Sequence, residues 1–180
     1  RICQTIGSTI VRSLKTQNEI LHSPSVVSSL WPKRLDNLKP DIIHLHWVCR
    51  EMLSVSDIGR LRGGVVWTLH DMWPFCGAEH YAEDFRWRDG YSRYNRPAHE
   101  AGFDLNRWVW KRKGRHWTRP FHIVTPSRWL ADCVRESMLM REWPVTIIPN
   151  AIDTDLWVPV EKTIARRILG LPQYEPLVLF

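Results

Sequence analysis

The chain has 180 residues, 44% of them hydrophobic, and carries 25 basic against 19 acidic side chains for a formal charge of +6. That is the length of one ordinary domain with enough apolar content for a core, which excludes a disordered chain. The positive balance favours anionic partners, whether nucleotide phosphates, nucleic acid or an acidic lipid surface, without choosing among them. Cys3, Cys49, Cys76 and Cys133 lie far apart with no CxxC pair, so a reducing compartment is expected, with the cytoplasm as default. No apolar run approaches the roughly 20 residues that span a bilayer. The chain opens on "RICQTIGSTIVRSLK", without Met and without the apolar core of a signal peptide, and stops at the strand-like "PLVLF", so both ends are expected to be cuts through a longer protein.

In chain order, "TIGSTIVRSLKTQNEIL" (5–21) reads as one helix and "WPKRLDNLKP" (31–40) as a helical turn; neither suggests a function. "DIIHLHWV" (41–48) and "GVVWTLHD" (64–71) are short β-branched runs, and "SVSDIGRLR" between them suits a short helix, so the three form a βαβ unit. "FHIVTPS" (121–127) leads into "RWLADCVRESMLM", where Leu130, Cys133, Val134 and Met138 share one helical face, and "VTIIPN" (145–150) follows as another strand. Strands alternating with helices at this spacing predict an α/β fold: a Rossmann-like parallel sheet with helices on both faces.

His46, His70 with Asp71, Ser127 and Asn150 all fall at or just beyond the carboxyl end of a predicted strand. In a parallel sheet those ends share one edge, and ligands of open α/β sheets bind in the crevice outside it. His44-x-His46 points both imidazoles to one strand face and, with His70, Asp71 or His80, is a metal-ligand candidate; the alternative is that His44 is a hydrogen-bonded core histidine. His70 next to Asp71 suits hydrogen bonding to a sugar hydroxyl or acid–base chemistry, against a loop histidine that caps a backbone group. Ser127, with Arg128 beside it, suits an N-cap and equally an anion site at a helix start.

Residues 72–102 are too long for an ordinary connection and are rich in Trp, Tyr, Arg and Asp, so a binding loop for carbohydrate or a folded excursion with its own aromatic core is expected. In "DLNRWVWKRKGRHWTR" (104–119), Asp104 suits an N-cap, and Leu105, Trp108 and Val109 face inward. Arg107, Lys111, Arg112, Lys113 and Arg115 read as a solvated cationic face, with Trp110 off the apolar stripe. That helix can alternatively rest on an anionic membrane. No nucleic-acid module signature is present, so no nucleic-acid partner is expected.

"PDIIHLHWV", "VVWTLHDMWPFCGAEHY", "IVTPSRWLADC" and "VTIIPNAIDTDLWVP", in this order and spacing from about Asp41 onward, resemble the amino-terminal half of a family 4 glycosyltransferase, a retaining nucleotide-sugar enzyme with a GT-B fold. The resemblance implies an acceptor-side domain over residues 1–150, an interdomain connection over 151–175 and, at 176–180, the first strand of a donor-binding domain. It implies no cofactor: the donor is a nucleotide diphosphate sugar, held mainly by that second domain, and the acceptor is a saccharide or lipid-linked species of polysaccharide or glycolipid biosynthesis. Peripheral contact with the inner face of the membrane fits such an acceptor. His70 would face the transferred sugar, and Asp71 would orient His70 or bind the acceptor. Trp73, Glu79, His80, Tyr81 and His46 are further acceptor-binding candidates, and Asn150 and Asp153 would shape the hinge. Relatives with this motif often continue "GGCHY", whereas this chain has Glu79 at that cysteine position, which argues against a cysteine-based metal cluster here. The fragment alone is expected to be inactive. Two rival classes stay open: a metal-dependent hydrolase using His44, His46 and His70, and a non-catalytic module that binds an anionic membrane or nucleic acid.

Overall fold

The structure, a computed structural model, describes residues 2–178. In chain order it contains α1 (Ile2–Val11), β1 (Leu14–Lys15), α2 (Trp31–Leu38), β2 (Ile42–Leu45), α3 (Val55–Arg60), β3 (Gly64–Thr68), α4 (Arg86–Asp89), β4 (Ala101–Gly102), α5 (Leu105–His116), β5 (His122–Thr125), α6 (Arg128–Glu136), β6 (Val145–Ile147) and α7 (Lys162–Ile168). The four strands predicted from β-branched runs pair in the order β2-β3-β5-β6. All three ladders are parallel, with Ile43 opposite Val65, Trp67 opposite Ile123 and Val124 opposite Thr146. Helices flank this sheet, giving the α/β, Rossmann-like architecture expected from the sequence.

Local chemistry sets the helix starts. Ser54 and Asp57 form a reciprocal capping box on α3: Ser54 Oγ accepts from Asp57 N at 3.0 Å and Ser54 N donates to Asp57 Oδ2 at 3.1 Å. Asp104 caps α5 and Ser127 caps α6, each accepting a backbone N–H three residues on at 3.2 Å. Strand alternation sets the core. Val65, Trp67 and Leu69 point inward from β3 and its continuation, and Trp67 meets Trp117 edge-on at 5.5 Å between centroids and Trp73 at 6.4 Å. The buried indoles of Trp67 and Trp117 stay hydrogen-bonded, donating to His46 O at 3.0 Å and Val55 O at 2.8 Å.

Several expectations are corrected. The helix predicted over 5–21 stops at Val11: the chain turns at Ser13, whose N–H bonds Ile10 O, and Leu14–Lys15 then pairs antiparallel with Ala101–Gly102. Met138 lies beyond the end of α6 and is half-exposed, while Leu130, Cys133 and Val134 do form the buried face. His44 is not a core histidine. The outward alternation of edge strand β2 leaves it exposed together with Ile42, and its Nε2 pairs with Thr68 Oγ1 at 2.8 Å.

One compact unit ends at Pro149 and a second runs from Asn150. In the second, Asp153 Oδ1 accepts the N–H groups of Asp155 and Leu156 at 3.0 and 3.1 Å, and Glu161 caps α7. Of the strand expected at 176–180, Pro176–Val178 are not in a strand, and Leu179 and Phe180 lie outside the described residues.

Candidate functional site

Because β2, β3 and β5 run parallel, their carboxyl ends bring His46, His70 and Ser127 to one edge. His46 and His70 are both exposed there, and His46 Nδ1 lies 3.1 Å from His70 Nε2 with the rings stacked at 5.4 Å. One of these nitrogens carries the proton and the other offers its lone pair, so each ring sets the tautomer of the other. The hollow over His46, Trp47, His70 and Asp71 encloses only about 10 Å³, which makes this an open ledge rather than a pocket.

Asp71 does not orient His70, as the sequence suggested. Successive residues beyond β3 diverge, and the Asp71 carboxylate turns inward. Its Oδ2 lies 2.5 Å from His80 Nδ1 and accepts from Trp47 Nε1 at 3.0 Å, while Oδ1 accepts from Trp73 N at 3.0 Å. His80 Nε2 in turn contacts Ser23 Oγ at 2.8 Å. The resulting chain Asp71–His80–Ser23 is buried throughout, so His80 and Asp71 hold the loop instead of lining an open acceptor surface.

Trp73 and Glu79 are interior too, which corrects their expected exposure to an acceptor. Trp73 is fully buried, and its Nε1 donates to Ser23 O at 2.8 Å. Glu79 Oε1 takes a hydrogen bond from Tyr91 Oη, and burial raises its carboxyl above the usual range although Tyr91, Arg86 and His22 pull it back. Its Oε2 has no hydrogen-bond partner and Glu79 borders a cavity of about 270 Å³ that also touches Arg86, His99 and Glu100. The segment 72–102 is thus the folded excursion with its own aromatic core, Phe75 packing on Trp87 at 5.8 Å.

The basic helix α5 holds the largest surprise. Lys113, expected on a solvated face, is completely buried. Its ammonium donates to the carbonyls of Trp73, Cys76 at 3.0 Å and Gly77 at 2.6 Å, and lies 3.9 Å from the Trp73 ring centroid. Burial pulls its pKa down to about 8, so it still carries its charge at neutral pH and pins the turn that follows His70. A signal was present: Leu105, Val109 and Lys113 recur every four residues, placing the lysine on the apolar stripe. Trp110 is half-buried, its ring 5.7 Å from that of Tyr91.

Of the loop candidates, Tyr81 alone stays exposed. Its hydroxyl reaches His70 O at 3.4 Å, and its ring stacks on Trp129 at 6.5 Å and 20°. Trp129, in the first turn of α6, is an aromatic neighbour that sequence reasoning missed. Ser127 is spent as an N-cap; with the exposed Arg128 and with Arg135 it borders a surface hollow of about 490 Å³. Asn150 and Asp153 fall in the second unit. Although the rings of His44 and His46 stand 4.4 Å apart, among the described residues no three His, Cys, Asp or Glu side chains are arranged to hold a metal ion.

The sequence model of glycosyltransferase family 4 matches residues 6–156. The chain belongs to that family. Neither a curated protein nor a solved structure matches it. Within this glycosyltransferase domain, His46, Trp47, His70, Tyr81, Arg128 and Trp129 are exposed at or near the carboxyl edge of the sheet. Among the described residues no helix is long and apolar enough to cross a membrane.

Proposed function

We propose that this chain is the acceptor-side domain of a retaining enzyme that moves a sugar from a nucleotide diphosphate donor to a hydroxyl of a saccharide or lipid-linked acceptor, in polysaccharide or glycolipid assembly. The single observation that carries the reading is the exposed His46–His70 pair at the carboxyl edge of the sheet, rimmed by the Tyr81–Trp129 stack. In this reading His70 hydrogen-bonds a hydroxyl of the transferred sugar, and His46 holds the ring in the tautomer that does so. The aromatic faces offer apolar surface to a sugar ring. The ledge is too shallow to exclude water alone, so the donor and the charge that stabilises the departing diphosphate are assigned to a second domain. No cofactor is invoked. A cytoplasmic enzyme acting at the inner face of the membrane fits a lipid-linked acceptor.

The test is transfer by the full-length protein. His70→Ala is expected to lower kcat about 100-fold, the scale on which one transition-state hydrogen-bond donor acts, with the fold intact by circular dichroism. Unchanged transfer would remove His70 from the chemistry and the reading with it.

A further inference from the structure

A cavity of about 590 Å³ lies between α1, residues 14–24 and the turn at Arg50 and Glu51 that follows β2. It shares no lining residue with the histidine ledge, and the sugar transfer proposed there leaves it unused. Its volume falls in the range of about 300–1,000 Å³ typical of small-molecule sites.

The floor is apolar, made by Val11, Leu14, Ile20, Leu21 and Pro24. Two cations stand over it. Arg12 and Arg50 both line the cavity, both are exposed, and among the described residues neither guanidinium has a hydrogen bond or an ion pair. The carboxylate in the lining is withdrawn. Glu51 Oε2 accepts the N–H groups of Val26 and Val27 at 2.7 and 2.8 Å, and Oε1 is sealed under α1, where a Cβ on Gly7 would stand 2.8 Å from it. His22 is turned in as well, with Nδ1 2.7 Å from Ile20 O and Nε2 buried. What a ligand can reach is therefore hydrocarbon, the neutral groups of Gln4, Ser8 and Asn18, and two guanidiniums.

Arg50 meets the cavity from an uncommon backbone state. It and Glu51 adopt φ of 52° and 63°, and Ser25, beside the amides that bind Glu51, adopts 47°. Left-handed non-glycine residues gather at ligand sites. The bonds from Glu51 to Val26 and Val27 pin this turn and so keep Arg50 at the wall.

A guanidinium beside hydrocarbon fits an alkyl chain that ends in an anion, because the planar fork pairs carboxylate or phosphate oxygens with two parallel N–H bonds. Volume then limits the chain. At about 30 Å³ for each water-sized group, a ten-carbon carboxylate takes about 360 Å³ and is housed, whereas a two-chain phospholipid, with about four times as many groups, is not. The same limit separates this site from a long-chain lipid carrier of sugars.

We propose that this cavity is an effector site for a single-chain amphipathic anion, with its head group on Arg12 and Arg50 and its chain on Val11, Leu14 and Leu21. Occupancy has a route to the ledge: Ser23, in the wall, contacts His80 at 2.8 Å, and His80 bonds Asp71, the neighbour of His70. The effector role rests on the glycosyltransferase reading, but the binding does not.

NMR titration of this chain with octanoate and with octyl phosphate, each below its micelle concentration, tests the binding, and the tighter of the two identifies the head group. At least one should bind saturably. Each methylene added from hexanoate to decanoate, or along the alkyl phosphates, should tighten Kd about two- to fourfold. Neutral 1-octanol and inorganic phosphate should each bind at least about tenfold more weakly, and Arg12→Gln with Arg50→Gln in one chain should cost about tenfold with the circular dichroism unchanged. Ser8→Trp, an exposed lining position, should block the mouth. No saturable binding by folded wild type, equal binding of 1-octanol, or indifference to the double arginine substitution overturns the site. In the full-length protein the bound anion should change the rate of sugar transfer, and the double variant should not respond. Binding that leaves transfer unchanged overturns the effector role, whereas arginine-dependent binding by a full-length protein that transfers no sugar upholds the site and sinks the enzymatic reading alone.

Discussion

Replacing Lys113 by Met tests whether the turn after His70 is held by one buried charge. The substitution conserves length and apolar stem but leaves the carbonyls of Trp73, Cys76 and Gly77 without their donor in a site no water reaches. Each unsatisfied carbonyl costs about 1–3 kcal/mol. Against that, Met relieves the desolvation of the ammonium. The fall of the Lys113 pKa from 10.5 to about 8 puts that relief at about 3 kcal/mol. The balance is a net loss of about 3 kcal/mol, or a melting temperature lower by about 6–12 °C for a domain of this size. The linkage has a definite sign. Between pH 8 and 10.5 the unfolded chain binds this proton and the folded chain does not, so the contribution of Lys113 makes stability rise with pH across that window and leaves it flat below. Burial also holds the Cys49 and Cys76 thiols well above their usual range, and their titration acts in the opposite sense. The wild-type minus Lys113→Met difference in urea midpoint, measured under reducing conditions, cancels the thiols to first order and should be larger at pH 10 than at pH 7. A Met variant as stable as wild type at pH 7, or a difference independent of pH, would refute the reasoning.

Two further substitutions probe the same scaffold. In Glu100→Gln the buried carboxylate that takes Arg86 Nη2 at 2.6 Å, Arg86 Nη1 at 3.2 Å and Asn106 Nδ2 at 3.2 Å loses its charge, leaving the Arg86 guanidinium to Asp84 Oδ2 at 2.9 Å, at a cost of about 1–3 kcal/mol in chemical denaturation at pH 7. Burial alone would raise that carboxyl, but Arg86 holds it below its usual 4.5; its contribution is therefore present above pH 4.5 and lost as pH falls through the lower folded value, a limb that Glu100→Gln should lack. Gly59→Ala would ordinarily favour α3 by about 1 kcal/mol. Here the new Cβ meets the backbone of His116, with the carbonyl carbon at 2.9 Å, so the sign should reverse and the variant should melt lower than wild type.

The strands were legible because β-branched runs bounded by turn residues admit few other readings, and their parallel order followed from the intervening helices. Their edges were overread: His46–Val48 and Leu69–Asp71 extend the apolar run but leave the ladder. The stop of α1 was not legible, since what ends it is pairing with Ala101–Gly102 far along the chain. Lys113 was legible from its spacing on the apolar stripe but was read by its charge instead. Glu51 carried no local signal. Its burial depends on a left-handed backbone and on amides at Val26 and Val27, none of which a period or a motif encodes.

The motif at the end of β3 divides its labour at one peptide bond. His70 is exposed with a single side-chain partner, His46, whereas Asp71 is buried with bonds to Trp47, Trp73 and His80. Adjacent residues of equal chemical promise therefore answer to different pressures. Removing the imidazole of His70 costs little packing, so its effect reads out on chemistry. Removing the carboxylate of Asp71 strands the donors of Trp47, Trp73 and His80 at once and loosens the loop that carries Tyr81 to the ledge. Lost activity in an Asp71 variant thus reports on the loop, and it is a change at His70 or His46 with the fold preserved that tests the proposed contact with the sugar.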